Sequence, residues 1–146
     1  MAAVTRWGEG WGFIDTVGNE VVSLVHEEVT CFSNGLAGVR TGRGNEAQWG
    51  FVNNTGELVI PQIFNHVIAV PFDGRFLDLK GWRGNFSMGV FSEGFAVVRF
   101  GGEIGVIDTT GDIVVPFGLY DDIRPFSNGL AAIRSGNSWG FIAINN

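Results

Sequence analysis

Two pairs of adjacent carboxylates, Glu27-Glu28 and Asp121-Asp122, are the first candidates for chemistry in this chain of 146 residues. Paired carboxylates can act as the acid and the base of a hydrolytic reaction. Both pairs occupy one place in a repeated pattern, and a third copy has Asn65-His66 there. A loop feature of the repeat therefore explains both pairs. We expect a solvated turn, with an acidic rim for a basic partner as the alternative.

The two histidines and the one cysteine are the remaining candidates for acid–base or metal chemistry. His26 occupies a position that is Phe64 and Tyr120 in other copies, so we expect a structural aromatic role. His66 falls at a different position of the pattern, and no nucleophile accompanies either histidine. Together with Cys31 they form a poor metal-ligand set. The sequence thus predicts no catalytic residue, no metal site, no cofactor and no enzymatic activity.

A glycine-rich stretch, GRGNEA at 42–47, superficially resembles a dinucleotide-binding fingerprint. That fingerprint requires a strand followed by the start of a helix. Here the stretch joins two predicted strands, so we interpret it as a hairpin loop.

The composition limits the classes of protein. Hydrophobic residues make up 45% of the chain and charged residues 16%, which excludes disorder. A net charge of -6 disfavours binding to nucleic acid, which depends on neutralised phosphates. No signal peptide is visible, and no apolar stretch approaches the roughly 20 residues of a membrane span. We therefore expect no membrane insertion and, by default, a cytoplasmic location.

One unit of strand, turn and strand recurs four times. The copies are AAVTRWGEGWGFI at 2–14, GLAGVRTGRGNEAQWGFV at 35–52, GFAVVRFGGEIGVI at 94–107 and GLAAIRSGNSWGFI at 129–142. Each copy contains a strand C followed by a strand A. The predicted strands A are 11–15, 49–53, 104–108 and 139–143, and a linking strand B is predicted at 20–24, 57–60 and 112–115. We expect Pro61 and Pro116 to end strand B.

Two turn sequences separate these strands. DTVG, NNTG and DTTG follow strand A, and an Asp or Asn with a Gly three positions later predicts a short hairpin with a type I turn. FSNG, FSEG and FSNG precede strand C, with Gly where a left-handed conformation is needed. Turn residues interrupt the chain so often that no helix is predicted.

Alternating residues of strands A and C are apolar on both faces, which suits sheets covered on both sides. The Gly that follows Trp is interpreted as making room for a neighbouring ring. We predict an all-β fold of tandem antiparallel hairpin repeats, about 10–12 short strands, in a solenoid-like or closed barrel or propeller-like arrangement. Residues 1–146 would form a single domain with an insertion at about 68–90.

The repeated residues resemble the WG-repeat family. They are Trp-Gly-Phe-Ile-Asp-x-x-Gly at 11–18, Trp-Gly-Phe-Val-Asn-x-x-Gly at 49–56, and Phe-Ser-Asn-Gly-Leu-Ala with Trp-Gly-Phe-Ile at 126–142. The resemblance implies a tandem β-repeat protein of mostly bacterial distribution, often without an assigned function, and supplies no catalytic residue. The third copy departs from the pattern, because Ile104-Gly105 replaces Trp-Gly. The second copy is interrupted by the insertion.

The insertion is the predicted recognition site, because it breaks the repeat and places basic and aromatic residues in an acidic protein. Arg and aromatic residues are common interface anchors. The predicted partner-binding residues are Phe72, Arg75, Phe76, Lys80, Trp82, Arg83 and Phe86. The alternative is a degenerate linker whose aromatic side chains fill the core.

Three functions follow from this reading. The first is a non-enzymatic protein-binding module on a β-repeat scaffold, which binds its partner through the insertion and the hairpin loops. The second is a self-assembling structural protein whose edge strands pair between molecules. The third is carbohydrate binding, in which Trp faces stack on sugars. The expected partner is accordingly another protein, the chain itself or a glycan.

Overall fold

The computed structural model describes residues 1–68 and 89–144, and this part of the chain is all-β, as predicted. It contains fifteen short strands and one 3-10 turn, Gly44–Glu46. The strands are β1 (Ala2–Thr5), β2 (Trp11–Ile14), β3 (Glu20–His26), β4 (Glu28–Val29), β5 (Leu36–Thr41), β6 (Gln48–Asn53), β7 (Leu58–Phe64), β8 (His66–Val67), β9 (Phe91–Ser92), β10 (Phe95–Phe100), β11 (Glu103–Asp108), β12 (Ile113–Val115), β13 (Asp122–Ile123), β14 (Leu130–Ser135) and β15 (Ser138–Ala143). The number exceeds the predicted 10–12 because the linkers add the two-residue strands β4, β8, β9 and β13.

The strands form four antiparallel sheets in chain order. Sheet 1 is β1-β2-β3, sheet 2 is β4-β5-β6-β7, sheet 3 is β8-β10-β11-β12 with β9 also paired to β10, and sheet 4 is β13-β14-β15. Each sheet is built around one predicted hairpin of strands C and A. The hairpin prediction is confirmed in all four copies.

The hairpins share one register. Arg40 lies opposite Trp49, Arg99 opposite Ile104, and Arg134 opposite Trp139. Sheet 1 has Thr5 opposite Trp11 in the same place. Residues at equivalent positions of the four sheets can therefore be compared directly.

The turn after strand A has the predicted geometry. In the first copy the Gly18 N–H donates to the Asp15 carbonyl at 3.2 Å, and Gly18 has a φ of 91°. The Asp15 carboxylate accepts the N–H groups of Val17 and Asn19, each at 2.9 Å. Asn53 and Asp108 accept equivalent bonds in the next two copies. The Asp or Asn of this motif thus closes the turn with its own side chain.

The turn before strand C is tighter than predicted, because two residues rather than one adopt positive φ. Asn34 and Gly35 have φ values of 49° and 80°, and Ser33 and Leu36 exchange backbone hydrogen bonds of 2.8 and 3.1 Å. These features define a two-residue type I′ hairpin turn, for which Asn-Gly is the strongest sequence signal. The other two copies have the same geometry at Glu93 and Asn128.

These turns also connect neighbouring sheets. The Asn34 side-chain oxygen accepts the Gly94 N–H at 2.8 Å, and the Glu93 carboxylate accepts the Gly129 N–H at 2.8 Å. One side chain of each turn thus satisfies a backbone donor of the next turn. The contact fixes the stacking order of sheets 2, 3 and 4.

Strand B carries the chain from one sheet to the next. β3 ends at His26 and β4 begins at Glu28, so one residue separates a strand of sheet 1 from a strand of sheet 2. The prediction that Pro61 ends strand B is wrong, since β7 continues to Phe64. β7 is an edge strand, and the backbone nitrogen of Pro61 faces away from β6. The proline therefore removes no N–H that pairs with β6, and the pairing stays intact. Pro116 does follow the end of its strand, as predicted.

The sheets pack face to face in chain order, through three apolar clusters. Sheets 1 and 2 share a cluster around Phe13, sheets 2 and 3 share one around Phe51, and sheets 3 and 4 share one around Val106. A ring from the turn before strand C joins each cluster. The ring pairs are Phe13–Phe32, Phe51–Phe91 and Phe95–Phe126, with centroids 4.9, 5.0 and 5.0 Å apart.

Sheets 2 and 3 are therefore covered on both faces, as predicted from their alternation. Within residues 1–68 and 89–144, no core cluster joins sheet 1 to sheet 4. The solenoid-like or closed arrangement stays a prediction.

The Gly of the Trp-Gly motif has a different role from the predicted one. A Cβ on Gly50 would lie 2.6 Å from the Ile60 carbonyl oxygen and 2.8 Å from the Gln62 nitrogen. Gly12 faces the backbone of β3 in the same way. The glycine makes room for the backbone of strand B rather than for a ring. Among the four glycines at this motif position, a described aromatic ring comes this close only to Gly105, where Phe117 Cδ1 would lie 2.9 Å from a Cβ.

Candidate interaction surface

The paired carboxylates are used within the fold. Glu27 and Asp121 are the first residues of the two pairs, and Asn65 occupies the equivalent position. Each accepts a hydrogen bond from the loop that joins strands C and A of the following sheet. These bonds are Arg43 Nε to Glu27 at 3.2 Å, Gly101 N–H to Asn65 at 2.6 Å and Gly136 N–H to Asp121 at 2.7 Å. The second residue forms an ion pair, Glu28 with Arg40 and Asp122 with Arg124, each at 3.2 Å. Each carboxylate thus has a structural partner.

His26 has the structural position expected of it. It lies opposite Trp11, as Phe64 lies opposite Trp49 in the next sheet. Burial lowers the pKa of His26, and its Nδ1 atom is buried without a hydrogen-bond partner among the described residues. The folded chain therefore favours the neutral imidazole.

His66 lies opposite Arg99 in sheet 3. Burial and the Arg99 guanidinium lower the pKa of His66, and the Glu28 carboxylate opposes them. Within the part of the chain that the structure describes, no three His, Cys, Asp or Glu side chains come together as a potential metal site.

All seven predicted partner-binding residues fall between 69 and 88, outside the described residues. The recognition insertion therefore stays a prediction. Its flanks agree with the sequence, because β8 ends at Val67 and β9 begins at Phe91.

An apolar surface that the sequence did not indicate lies on the outer side of sheet 4. Leu130, Trp139 and Phe141 are 47%, 53% and 73% exposed. Their equivalents in sheet 2, which are Leu36, Trp49 and Phe51, are 5%, 6% and 0% exposed. We call Leu130, Trp139 and Phe141 the end face. The same motif positions that form a core in sheet 2 are open to solvent in sheet 4.

Alternation along the two strands of sheet 4 explains this exposure. Ala131, Ile133 and Ile142 point toward sheet 3 and join its cluster. Trp139 and Phe141 alternate with Ile142 and therefore point the other way. In sheet 2 that side is covered by sheet 3, whereas no described residue covers it in sheet 4.

Charged groups border the end face. The Arg124 guanidinium lies 5.6 Å from the centroid of the Trp139 ring, within the range of a cation–π contact, and it also pairs with Asp122. Arg134 lies opposite Trp139 and donates to the Gly136 carbonyl at 2.8 Å. An aromatic and aliphatic centre with an Arg-rich border has the composition of a protein-binding surface.

The prediction of the site missed this face because it expected sheets covered on both sides throughout the repeat. The Trp-Gly-Phe motif gives the same local signal in both copies. The difference lies in the neighbouring sheet, because sheet 3 covers sheet 2, whereas no described residue covers the outer side of sheet 4.

The family comparison agrees with the repeat geometry. The family described as WG containing repeat matches residues 11–43, 49–73 and 104–142, which is more than half of the chain. The chain belongs to the WG-repeat family. No curated protein and no solved structure matches this WG-repeat chain. Among residues 1–68 and 89–144, no helix has the length and apolar character needed to cross a membrane.

Proposed function

We propose that this WG-repeat chain is a non-enzymatic protein-binding module whose docking surface is the end face. The observation that carries the proposal is the contrast between equivalent positions. Phe51 is fully buried against the next sheet, whereas Phe141 is 73% exposed on the same kind of strand. The end face has the same residue types at the same positions as the face of sheet 2 that packs against sheet 3. It is therefore suited to contact with another flat, apolar surface.

The chemistry of the end face favours a protein over a small ligand. Trp and Phe side chains each bury about 150 to 250 Å² in a well-packed contact. Binding energy at protein interfaces is concentrated in such residues, surrounded by a polar border. Asp122 and Arg124 supply that border beside Trp139.

Site-specific photo-cross-linking tests the proposal. A photoreactive phenylalanine analogue at position 141 should give an adduct of discrete mass in the cells that produce the protein. The matched control is the same analogue at Val17, which is exposed on the turn after β2 and is distant from the end face in the sequence. Leu130→Glu should abolish the adduct without unfolding the chain, because Leu130 is already half exposed. Identical adducts from positions 17 and 141 would refute the assignment.

A second candidate function is head-to-tail self-assembly, favoured by the outer face of sheet 1. Ala2, Val4 and Ile14 lie there, at positions equivalent to Ala37, Val39 and Val52 of sheet 2. Those three residues of sheet 2 pack against sheet 1. Sheet 1 thus offers the small aliphatic side of a junction, and the end face offers the aromatic side. This contact would stack faces, in contrast to the edge pairing predicted from the sequence.

Sedimentation velocity distinguishes self-assembly from binding to another protein. The wild-type chain should associate with increasing concentration, and Leu130→Glu and Val4→Glu should each abolish association. A mixture of the two variants should form a dimer, since each retains one intact face. A monomer at every concentration would refute self-assembly and leave docking of another protein in place.

A further inference from the structure

The tetrapeptide Trp-Gly-Phe-Ile occurs twice, at 11–14 in β2 and at 139–142 in β15, with different pairing. β2 is paired on both sides, by β1 and β3. β15 is paired by β14 alone among the described strands. Strand A carries a strand B on its second side in sheets 1, 2 and 3, and no described strand occupies this position in sheet 4.

The backbone of β15 presents hydrogen-bonding groups to this open position. The Asp121 and Arg124 N–H groups donate to the carbonyls of Arg134 and Ala132, which therefore point toward β13. Pairing directions alternate along a strand, so Ile133 bonds to Gly140, its partner in β15. Trp139, Phe141 and Ala143 consequently direct their N–H and C=O groups to the free edge.

Space for a further strand is also present at Gly140. Among the described residues, a Cβ on Gly140 would meet only Ile133 Cδ1, at 3.6 Å. At Gly50 the corresponding space is filled by the backbone of strand B, 2.6 Å from the Cβ position. Sheet 4 therefore retains the glycine that admits strand B, whereas no strand of residues 1–68 and 89–144 lies there.

The chain itself lacks the residue that folds strand B back onto strand A. Asp15, Asn53 and Asp108 each close that turn with a side-chain oxygen. The equivalent residue in sheet 4 is Ala143, which has no acceptor. Residue 143 therefore cannot close this turn with a side-chain oxygen.

A groove lined mainly by residues with apolar side chains lies beside the free edge. Its volume is about 340 Å³, and its walls come from sheet 3, the loop after it and the end of β15. The lining residues are Val114, Val115, Pro116, Leu119, Tyr120, Ile142, Ala143 and Ile144. This groove can hold side chains that a strand at the edge would direct toward sheet 3.

We propose that the free edge of β15 binds an extended segment of another polypeptide as an added antiparallel strand. The three strands B of sheets 1 to 3 indicate which sequence such a segment should have. In each of them a β-branched residue lies opposite the equivalent of Phe141, and these residues are Val22, Ile60 and Val115. Each follows a Val and precedes a Ser or Pro. The ligand is therefore an extended peptide with a Val-Val/Ile-Ser/Pro core. The inference rests on the proposed role as a binding module but uses the edge instead of the end face.

A peptide of residues 19–26, NEVVSLVH, is the probe, because it already pairs with Trp-Gly-Phe-Ile in sheet 1. Titration into the full ¹⁵N-labelled chain should give saturable shifts and amide protection at Trp139, Phe141 and Ala143, with a Kd at or below about 1 mM. A peptide with Val22→Pro loses the N–H opposite Phe141 and should bind at least about tenfold more weakly. A peptide with Ser23→Pro should still bind, since Pro61 and Pro116 occupy that position in sheets 2 and 3.

Two variants of the chain separate the edge from the end face. Gly140→Ala should keep the fold, since its Cβ has ordinary contacts, and should abolish peptide binding, since the methyl fills the space for the strand. Leu130→Glu should retain peptide binding while losing the end-face adduct. The inference is overturned if the wild-type chain shows no saturable shift, or if the shifts occur at Trp11 and Phe13 instead of β15. It is also overturned if the Val22→Pro peptide binds as tightly as the original peptide, or if the original peptide binds to the Gly140→Ala chain. Failure of the adduct alone overturns only the end-face proposal.

Discussion

Adding one methyl group at two equivalent glycines should have opposite effects on stability. In Gly50→Ala the new Cβ would lie 2.6 Å from the Ile60 carbonyl oxygen, a distance that packed carbons do not reach. β7 must then move by several tenths of an ångström, and Ile60 and Phe64 move with it out of the cluster between sheets 2 and 3. Overpacking of this kind costs about 1–3 kcal/mol.

In Gly140→Ala the same methyl meets Ile133 Cδ1 at 3.6 Å, which is ordinary contact, and Gly140 does not have positive φ. The substitution restricts the unfolded chain and should stabilise the fold by about 0.4–1 kcal/mol.

Thermal unfolding followed by circular dichroism measures both effects. For a domain of this size, 1 kcal/mol corresponds to about 2–4 °C in Tm. Gly50→Ala should therefore lower Tm by roughly 2–12 °C, and Gly140→Ala should raise it by roughly 1–4 °C. Urea titration with unchanged m-values would confirm that both variants fold to the same extent. Equal shifts in the two variants would refute the reasoning, because the motif glycine would then have no role in admitting strand B.

Four further substitutions test the same picture. Burial lowers the pKa of His26 below 6.5, so the neutral form stabilises the fold above that pH, and stability is lost as the pH falls through the lowered pKa. His26→Phe should remove part of the loss of Tm between pH 7 and 5; an unchanged pH profile would contradict it. Phe51→Ala should cost about 3–5 kcal/mol in urea unfolding, whereas Phe141→Ala should cost less than about 1 kcal/mol, and similar costs would mean that the end face is covered. Asn34→Ala places a less tolerant residue at positive φ and removes the acceptor for the neighbouring turn, so it should lower the free energy of unfolding by about 1 kcal/mol; a neutral result would rule out this contact between turns.

Much of the fold could be predicted from local sequence, because the turns carry local signals. Asp15 and Gly18 determine one hairpin turn through their own backbone and side chains, and Asn34-Gly35 determines the other. Apolar residues on both faces of strands A and C predicted covered sheets. Pro61 misled the prediction, because proline is compatible with an edge strand, and edge status depends on the whole sheet.

The exposed surface could not be predicted in the same way, because exposure is a property of neighbours. Trp49 and Trp139 are each followed by Gly-Phe and a β-branched residue, and each lies opposite an Arg across the hairpin. One is buried because sheet 3 lies over it, and the other is open because no described residue does. Local propensity and periodicity are identical at the two positions, so only the stacking order separates them.

The stacking order also explains why the end face and the free edge occur in the same sheet. In sheets 1 to 3, strand B completes one sheet, and the chain then forms the first strand of the next sheet. Among the described residues, sheet 4 has neither the strand B at its edge nor the covering sheet that would follow. Ala143 stands in sheet 4 in place of the turn-closing Asp or Asn. A binding partner at sheet 4 would therefore find the free edge of β15 and the end face on the same sheet. Gly140→Ala closes the edge and Leu130→Glu changes the face, so the two variants separate these two features experimentally although both belong to sheet 4.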